Sequence, residues 1–570
     1  MKIDQVTMSI LVNNLFWVTE EMNAYLCKAA YSTNIKVRRD CSCAIYTRNG
    51  EMISQGEFIP VHLGVMAQAM HSVLKVYPLE SFSPGDVIIH NDPYQAGSHL
   101  WDVMIFQPVY YEGEIIAFVG NLAHHVNIGG SSLEKCLPTI FEEGLRFPII
   151  KLYDKGVLRK DLLKLITHNV RTAYEIEGDL AAQNAANFRG INRLTELADK
   201  YGKQVLTEYF EAILDYAEKG MREAIRALPD GEYASMDFVE DDGIEKGLFP
   251  IRIKTIIKGD ELLFDFSGCA KPGRGGVNSP WSLTHSAVFY AVKSILAAKL
   301  PTNSGIYRPI KLIRPTEDTM VDAKYPHAVG TCTCSPAQRI VDVVIWDFAQ
   351  IVPRQICACD GNWCGANFNG VDPRTGRYSA YTEAYGCGRG AKWNEDGADA
   401  HQSHLTNTAN APVEIIEREH PITVEKYAIV PDSGGPGKFR GGMSITRVVR
   451  ANAEMSCTAQ SNRLKIGPYG LYGGMPGRTD NSYILLSDGS KTSASMNVMP
   501  GDRVIVQTSG GGGWGDPEER EFSKVAWDVL NGYVSEEAAK SDYHVVVDPA
   551  TGVVDMAATE ALRSAIKAGQ

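Results

Sequence analysis

"DVMIFQPVYYEGEIIAFVGNLAHH", residues 102–125, is two runs of strand-forming residues folded about Glu112-Gly113. Its register governs which side chains meet. If the chain turns on residues 112 and 113 alone, Tyr111 faces Glu114 and Trp101 faces His124. If it turns on three residues, with Gly113 left-handed in a bulged turn, Tyr110 faces Ile116 and Asp102 faces His124. A slip of one residue separates these registers, and it sends every side chain to the opposite face. In the second register the Cβ atoms of Asp102 and His124 are about 5 Å apart.

Just upstream, "IIHNDPYQAGSHLWDV" (residues 88–103) leaves a strand, turns on Asn91-Asp92-Pro93 and sets His99 three residues before Asp102. His99, Asp102 and His124 are a mixed nitrogen and oxygen donor set of the kind that holds Zn²⁺, Mn²⁺ or Fe²⁺ and leaves room for water or substrate. His124 and His125 are neighbours on a strand and point to opposite faces, so at most one is a ligand. The other, His125, is a candidate acid or base. H-x-x-D is a short, common pattern, and on spacing alone hydrogen-bonded loop and sheet histidines explain these residues more readily.

The 570 residues have room for several domains, and a net charge of -12 without a basic run argues against a nucleic-acid or anionic-membrane partner. The apolar run from Met8 to Val18 is broken by Asn13-Asn14 and is too short to span a bilayer. No small-residue cleavage site follows it, and the twelve cysteines then point to free thiols in a cytoplasmic protein.

The pattern along the chain is that of an α+β protein, and it divides into five regions. Residues 1–158 form a metal-site α+β region. Its opening helix has Asp4 as cap and an apolar stripe of Val6, Ile10, Leu11, Leu15, Val18, Met22, Leu26 and Ala29. A hairpin follows at Asn49-Gly50, the dipeptide that a type I′ turn prefers. Residues 159–230 are helical, and 231–400 are β-rich with a hairpin at Lys258-Gly259-Asp260. Residues 401–518 are glycine-rich, and 519–570 form a helical tail. The glycine segments "YGCGRGAKW", "DSGGPGKFRGGMS", "GPYGLYGGMPGR" and "SGGGGWGDP" interleave aromatic and arginine residues, which suits ordered, polyproline-II-like backbone better than a flexible linker.

The cysteine group Cys332, Cys334, Cys357, Cys359 and Cys364 lacks the C-x2-C spacing of a zinc knuckle and reads more naturally as buried thiols. His401 and His404 read as a surface loop. Arg39, next to Asp40, is a candidate for holding a phosphorylated intermediate, with a plain salt bridge as the alternative.

"RRDCSCAIYTRNGEMISQGEFIPVHLGVM", "GDVIIHNDPYQAGSHLWDVMIFQPV", "HHVNIGG", "EGLRFP", "GDLAAQNAAN", "DSGGPGKFRGGMS" and "GGGGWGDP" together resemble, in order and over almost the whole chain, the hydantoinase B/oxoprolinase family. That family includes ATP-dependent hydrolases of cyclic amides (N-methylhydantoin, 5-oxoproline, caprolactam) and ATP-dependent carboxylases of ketones (acetone, acetophenone). The resemblance implies a metal-bearing subunit with Asp40, His99, Asp102 and His124 as ligands, and because it covers "FEEGLRFP" it makes Glu143 and Arg146 candidates for substrate or phosphate contact, with helix support or a surface ion pair as the equal alternative. It implies kinase-like ATP-binding partners of the hydantoinase A type and, in the ketone carboxylases, a small zinc-binding subunit. The implied fold is a two-sheet, barrel-like β domain leading into a bundle of glycine-rich polyproline-II segments. No G-x-x-x-x-G-K-[ST] phosphate loop occurs in the chain, in keeping with ATP binding by another subunit.

Two departures bear on the substrate. Asn127 stands where many of the hydrolases carry aspartate (HHADIGG), and Trp101 stands where H-L-P-D is common. Loss of a possible base and gain of an indole favour, slightly, carboxylation of an acetophenone-like ketone through a phosphorylated enol. Cyclic amide hydrolysis has almost equal weight, and a non-catalytic scaffold is the remaining alternative.

Overall fold

The computed structural model describes residues 3–131, 136–492 and 495–569. It is a mixed α+β protein with thirteen α-helices and four sheets among the described residues. Two compact units divide the chain: Met1–Asp347 with Leu405–Ala411, and Phe348–His404 with Pro412–Gln570.

In the first unit, helix α1 (Gln5–Ala29) begins at Asp4, whose carboxylate accepts the Thr7 N–H at 2.8 Å. Met8, Leu11, Leu15, Val18, Met22 and Leu26 form its buried stripe. Val6 and Ile10 lie outside that stripe and are 67% and 46% exposed, so the expected apolar face is narrower than the sequence pattern.

A seven-stranded antiparallel sheet carries the site. Its strands are β1 (Cys41–Thr47), β2 (Met52–Gln55), β3 (Val87–His90), β4 (Asp102–Tyr111), β5 (Glu114–His124), β6 (Ile150–Asp154) and β7 (Val157–Leu158). Their order is β2-β1-β5-β4-β3-β6-β7. The β4–β5 hairpin combines both registers that the sequence allows. Its tip is a two-residue turn with Glu112 at φ 50° and Gly113 at φ 82°, so Tyr111 pairs with Glu114 and Tyr110 with Ile115. Ile116 is then an extra residue, Val109 pairs with Ala117, and the shifted ladder ends with Asp102 opposite His124. At Asn49-Gly50 the reverse holds. Only Gly50 has positive φ, so that turn is not the type I′ turn expected there.

Helix α2 (Thr33–Lys36) leads into β1, and α3 (His62–Val76) follows β2. After α4 (Ile140–Glu143) and α5 (Lys160–His168), the long α6 (Ala173–Tyr201) packs on β4 and β5 and against α1. The motif "GDLAAQNAAN" lies on α6 and serves the sheet. Gln183 Nε2 donates to Val103 O and Asn121 Oδ1, both at 2.9 Å, and Asn187 Nδ2 donates to Ile105 O at 3.1 Å. Residues four apart on a helix share a face, which is why both amides reach the hairpin. A second, four-stranded sheet comprises β8 (Gly231–Asp241), β9 (Lys246–Lys258), β10 (Glu261–Asp265) and β11 (Ile310–Ile313), in the order β11-β10-β9-β8.

The second unit holds two more sheets. One has strands 378–385, 364–371, 455–460 and 496–498, and the other has 422–429, 445–451, 503–507, 483–485 and 491–492. Each of the four sheets among the described residues is open, so the expected barrel-like closure is corrected to open sheets. Nor is a regular polyproline-II bundle among the described elements. The glycine segments instead run without helix or strand and bond backbone to backbone: Gly388 N–H donates to Ser509 O, Gly442 N–H to Arg389 O, and Gly511 N–H to Gly442 O.

The spacing between these segments excludes side chains. A Cβ on Gly388 would stand 1.9 Å from Gly442 O and 2.3 Å from Gly511 N, both backbone atoms that no rotamer change can move. Gly388→Ala is expected to cost at least the ~1–3 kcal/mol of core overpacking. Gly247→Ala, whose nearest neighbour is a Phe249 ring carbon at 3.7 Å, is expected to stay within ~0.5 kcal/mol of wild type. Denaturant melts of the two variants compare them directly.

Candidate metal centre

The shifted hairpin register places Asp102 and His124 at the same end of the β4–β5 ladder, and the loop before β4 folds His99 over them. The Asp102 N–H donates to His99 O at 3.1 Å, closing that loop. His99 Nδ1 lies 3.4 Å from Asp102 Oδ2, and His124 Nδ1 lies 3.3 Å from Asp102 Oδ1. The imidazole rings are 4.9 Å apart at 77°. One donor atom from each of the three residues falls within 4.8 Å of the others.

The environment is dry. His99 and Asp102 are buried, and His99 Nδ1 and Asp102 Oδ1 have no hydrogen-bond partner. Ser98 Oγ donates to the other oxygen, Asp102 Oδ2. Burial raises the Asp102 carboxyl, but His99, His124 and His62 outweigh it and hold the group well below the usual carboxylate range. Burial lowers His99. It also acts to lower His124, whose pKa is nevertheless raised by Asp102 and Asp40.

Asp40 is beside this group without joining it. The His124 N–H donates to the Asp40 carbonyl at 3.0 Å, while Asn34 Nδ2 lies 3.5 Å from the Asp40 carboxylate. Asn34 also donates to His124 O at 2.8 Å, so it ties the two residues together. Arg39 is exposed, with φ 58°. His125 faces the other way. Its N–H donates to Trp101 O, and its Nε2 lies 3.0 Å from Gln183 Oε1 on α6. Burial lowers its pKa. The structure thus gathers His99, Asp102 and His124, leaves the Asp40 side chain at the edge, and places His125 under the sheet.

Spacing does not single out His62. It is buried at the start of α3, its Nδ1 lies 2.9 Å from Ser42 Oγ on β1, and its charge is coupled to Asp102, Asp40 and His124. The only sequence signal is its place in "IPVHLGVM".

Trp101 is buried with its indole edge against His99, 5.8 Å between ring centres. Asn127 builds the "HHVNIGG" loop, where its Oδ1 accepts Gly129 N–H at 3.2 Å and Arg171 N–H at 2.9 Å. An aspartate there would accept the same bonds, so the departure at 127 removes no free base. Arg146 lies over the Tyr325 ring at 4.5 Å and 3.9 Å from Asp92.

Among the described residues no disulfide joins the cysteines and no three of them converge within 4.8 Å, and Cys332 Sγ lies 3.6 Å from Ser98 O. His401 is exposed, but His404, expected on the surface, is buried with Nδ1 3.7 Å from Asp360. Among the described residues no helix is long and apolar enough to cross a membrane.

The chain belongs to the Hydantoinase B/oxoprolinase family, whose model covers residues 4–517. An uncharacterized protein of Methanocaldococcus jannaschii is 36% identical over 571 residues, 98% of this chain and 100% of its own. The crystal structure of ATP-dependent caprolactamase from Pseudomonas jessenii has a TM-score of 0.92 at 30% identity, over 99% of this chain and 100% of its own. Nucleotide-free acetone carboxylase has a TM-score of 0.90 at 19% identity, over 99% of this chain and 83% of that chain, a likeness of fold alone.

Replacing Asn127 separates loop-building from chemistry. Asn127→Asp is expected to keep wild-type stability, whereas Asn127→Ala leaves the Gly129 and Arg171 N–H groups without their acceptor and costs about 1–3 kcal/mol. Thermal melts of both variants check this.

Proposed function

We propose that this chain is the metal-bearing subunit of an ATP-dependent complex that opens a cyclic amide. The observation that carries the reading is the convergence of His99, Asp102 and His124 in a dry site with orphaned donor atoms. One donor atom from each of the three residues lies within 4.8 Å of the others. The donor set fits zinc, manganese or iron, and Asp40, whose carbonyl accepts the His124 N–H, is the fourth ligand of this reading.

Such an ion would supply Lewis acidity to an amide oxygen or to water. The protein's part is to hold it and keep bulk water out. Asp102 offers its two oxygens to opposite imidazoles, Ser98 fixes that carboxylate, and Trp101 closes one wall with an apolar surface. ATP is bound by a kinase-like partner of the hydantoinase A type, since this chain has no phosphate loop.

The family's name and the caprolactamase relative, similar from end to end, support amide hydrolysis. Ketone carboxylation, for an acetophenone-like substrate and with a small zinc-binding subunit, is the second reading. The buried Trp101 favours it, but Asn127 does not, because its side chain is engaged in the loop.

Two measurements test the proposal. After removal and return of Zn²⁺ or Mn²⁺, the full chain is expected to retain metal through gel filtration, His99→Ala and His124→Ala to lose it, and Asp40→Asn to bind roughly 10–100-fold more weakly. Metal-free wild type sinks the site. The chain assembled with its ATP-binding partner is then supplied with ATP and either caprolactam or 5-oxoproline, and in parallel with acetophenone and bicarbonate. Opening of a lactam supports the proposal; turnover of the ketone alone transfers it to the second reading.

A further inference from the structure

Glu143 ends α4 and is fully buried, yet its two oxygens have different surroundings. Oε1 accepts the backbone N–H groups of Val329 at 2.7 Å and Gly330 at 2.6 Å. Oε2 is buried without any partner. Buried polar atoms are as a rule hydrogen-bonded, so Oε2 has room for a further partner.

The side chain is held firmly. Thr139 and Glu142 form a capping box at the start of the helix. Gly130, at φ 55°, comes so close that a Cβ there would lie 2.6 Å from the backbone of residues 142–144. Gly330 is close both to the carboxyl's bonded oxygen and to the indole beside the metal site. A Cβ on Gly330 would lie 3.0 Å from Glu143 Oε1 and 3.4 Å from Trp101 Cζ3, and the same indole abuts His99. Cys332 feels the charges of both Glu143 and Asp102.

We propose that Glu143 is a further catalytic residue: its Oε2–H is the acid that protonates the ring nitrogen of a cyclic amide as the carbon–nitrogen bond breaks. The assignment rests on the cyclic-amide reading above. Water adds its oxygen to the carbonyl carbon, the carbon–nitrogen bond breaks, and its electron pair stays on nitrogen. Nitrogen takes the Oε2 proton, and the proton that water gives up restores Glu143. An amide anion is a poor leaving group, so the step requires a neutral acid at neutral pH. Two donors occupy Oε1, which leaves the proton on Oε2, the oxygen free to give it. Burial pushes this carboxyl up to about 8, against the two N–H bonds that act to lower it. The titratable and charged groups around it are Glu142, Tyr94 and Cys332, with Arg146 acting on Tyr94.

Infrared difference spectra of the full chain, wild type minus Glu143→Gln, read the proton without any partner. A protonated-carboxyl C=O band is expected in wild type, absent from the variant, and fading as pH rises through about 8. No such band overturns the proposal. In the assembled complex with ATP and a lactam, Glu143→Gln is expected to lower turnover by about 10²–10⁴-fold with metal content unchanged. Glu143→Asp should recover part of the loss, and the alkaline fall in wild-type rate should vanish in the Gln variant. Wild-type turnover by Glu143→Gln overturns the proposal and leaves the metal site standing. A wild-type complex that opens no cyclic amide overturns the reading it rests on, and an infrared band that persists then marks a buried acid without this chemistry.

Discussion

Asp102 meets His124 because the β4–β5 ladder contains one residue more on one side than on the other. The tip turn alone would pair Trp101 with His124 and send Asp102 to the opposite face. Ile116, inserted without a partner, moves the ladder by one step, and every pair from Val109–Ala117 to Asp102–His124 inherits that step. The shift is held from outside the strands. Gln183 and Asn187 donate to the Val103 and Ile105 carbonyls of β4, while Asn121 on β5 donates to Gln183 O and Asn187 Oδ1. These bonds are made in a fully buried layer, where unpaired amides are costly, so a slipped ladder would forfeit several at once. The candidate centre is therefore as well defined as the contact between α6 and the hairpin.

Much of this is visible in the residues, and the misses have physical causes. The element types along the first unit follow hydrophobic period and turn chemistry, and both hairpin positions are marked by glycine. Turn type is not. Asn49-Gly50, with the stronger type I′ signature, has positive φ at Gly50 alone, and Glu112-Gly113 has it at both residues. Local preference differs between such turns by little, and the strands on either side decide. His99, Asp102 and His124 can be paired from spacing under one register. Asp40 comes only from family resemblance, because it reaches the site through the β1–β5 ladder, and His62 escapes spacing because it comes from a separate helix. Val6 and Ile10 match the helical period of α1 but not its buried stripe, since period fixes an angle and not the width of what packs there.

The glycine-rich half of the chain behaves differently. Its aromatic and arginine residues announce order, but not the form of that order. The composition suggests regular polyproline-II helices, and open sheets joined by segments without helix or strand are found. Gly388, Gly442 and Gly511 meet backbone to backbone because none has a side chain, and their N–H groups are bonded to neighbouring segments. Absence of Cβ there serves close approach more than unusual dihedral angles; these three are not among the glycines with positive φ.

Two accounts of the histidines compete, and orphaned atoms separate them only where they converge with other donors, since His90, His285 and His420 also leave ring nitrogens unpartnered. Histidines placed for structure should spend their ring nitrogens on hydrogen bonds, as buried polar groups do in general. His62 fits that description, with Ser42 at 2.9 Å. His99 does not: its Nδ1 is buried and unbonded, and so is Asp102 Oδ1. The surrounding electrostatics run the same way. Asp102 is an anion in a dry pocket, Asp40 adds a second carboxylate nearby, and burial favours a neutral imidazole at His99. The raised His124 and Arg38 place positive charge beside the two carboxylates, so what the site lacks is partners for His99 Nδ1 and Asp102 Oδ1. A divalent ion would supply them, with donor atoms already within 4.8 Å of one another.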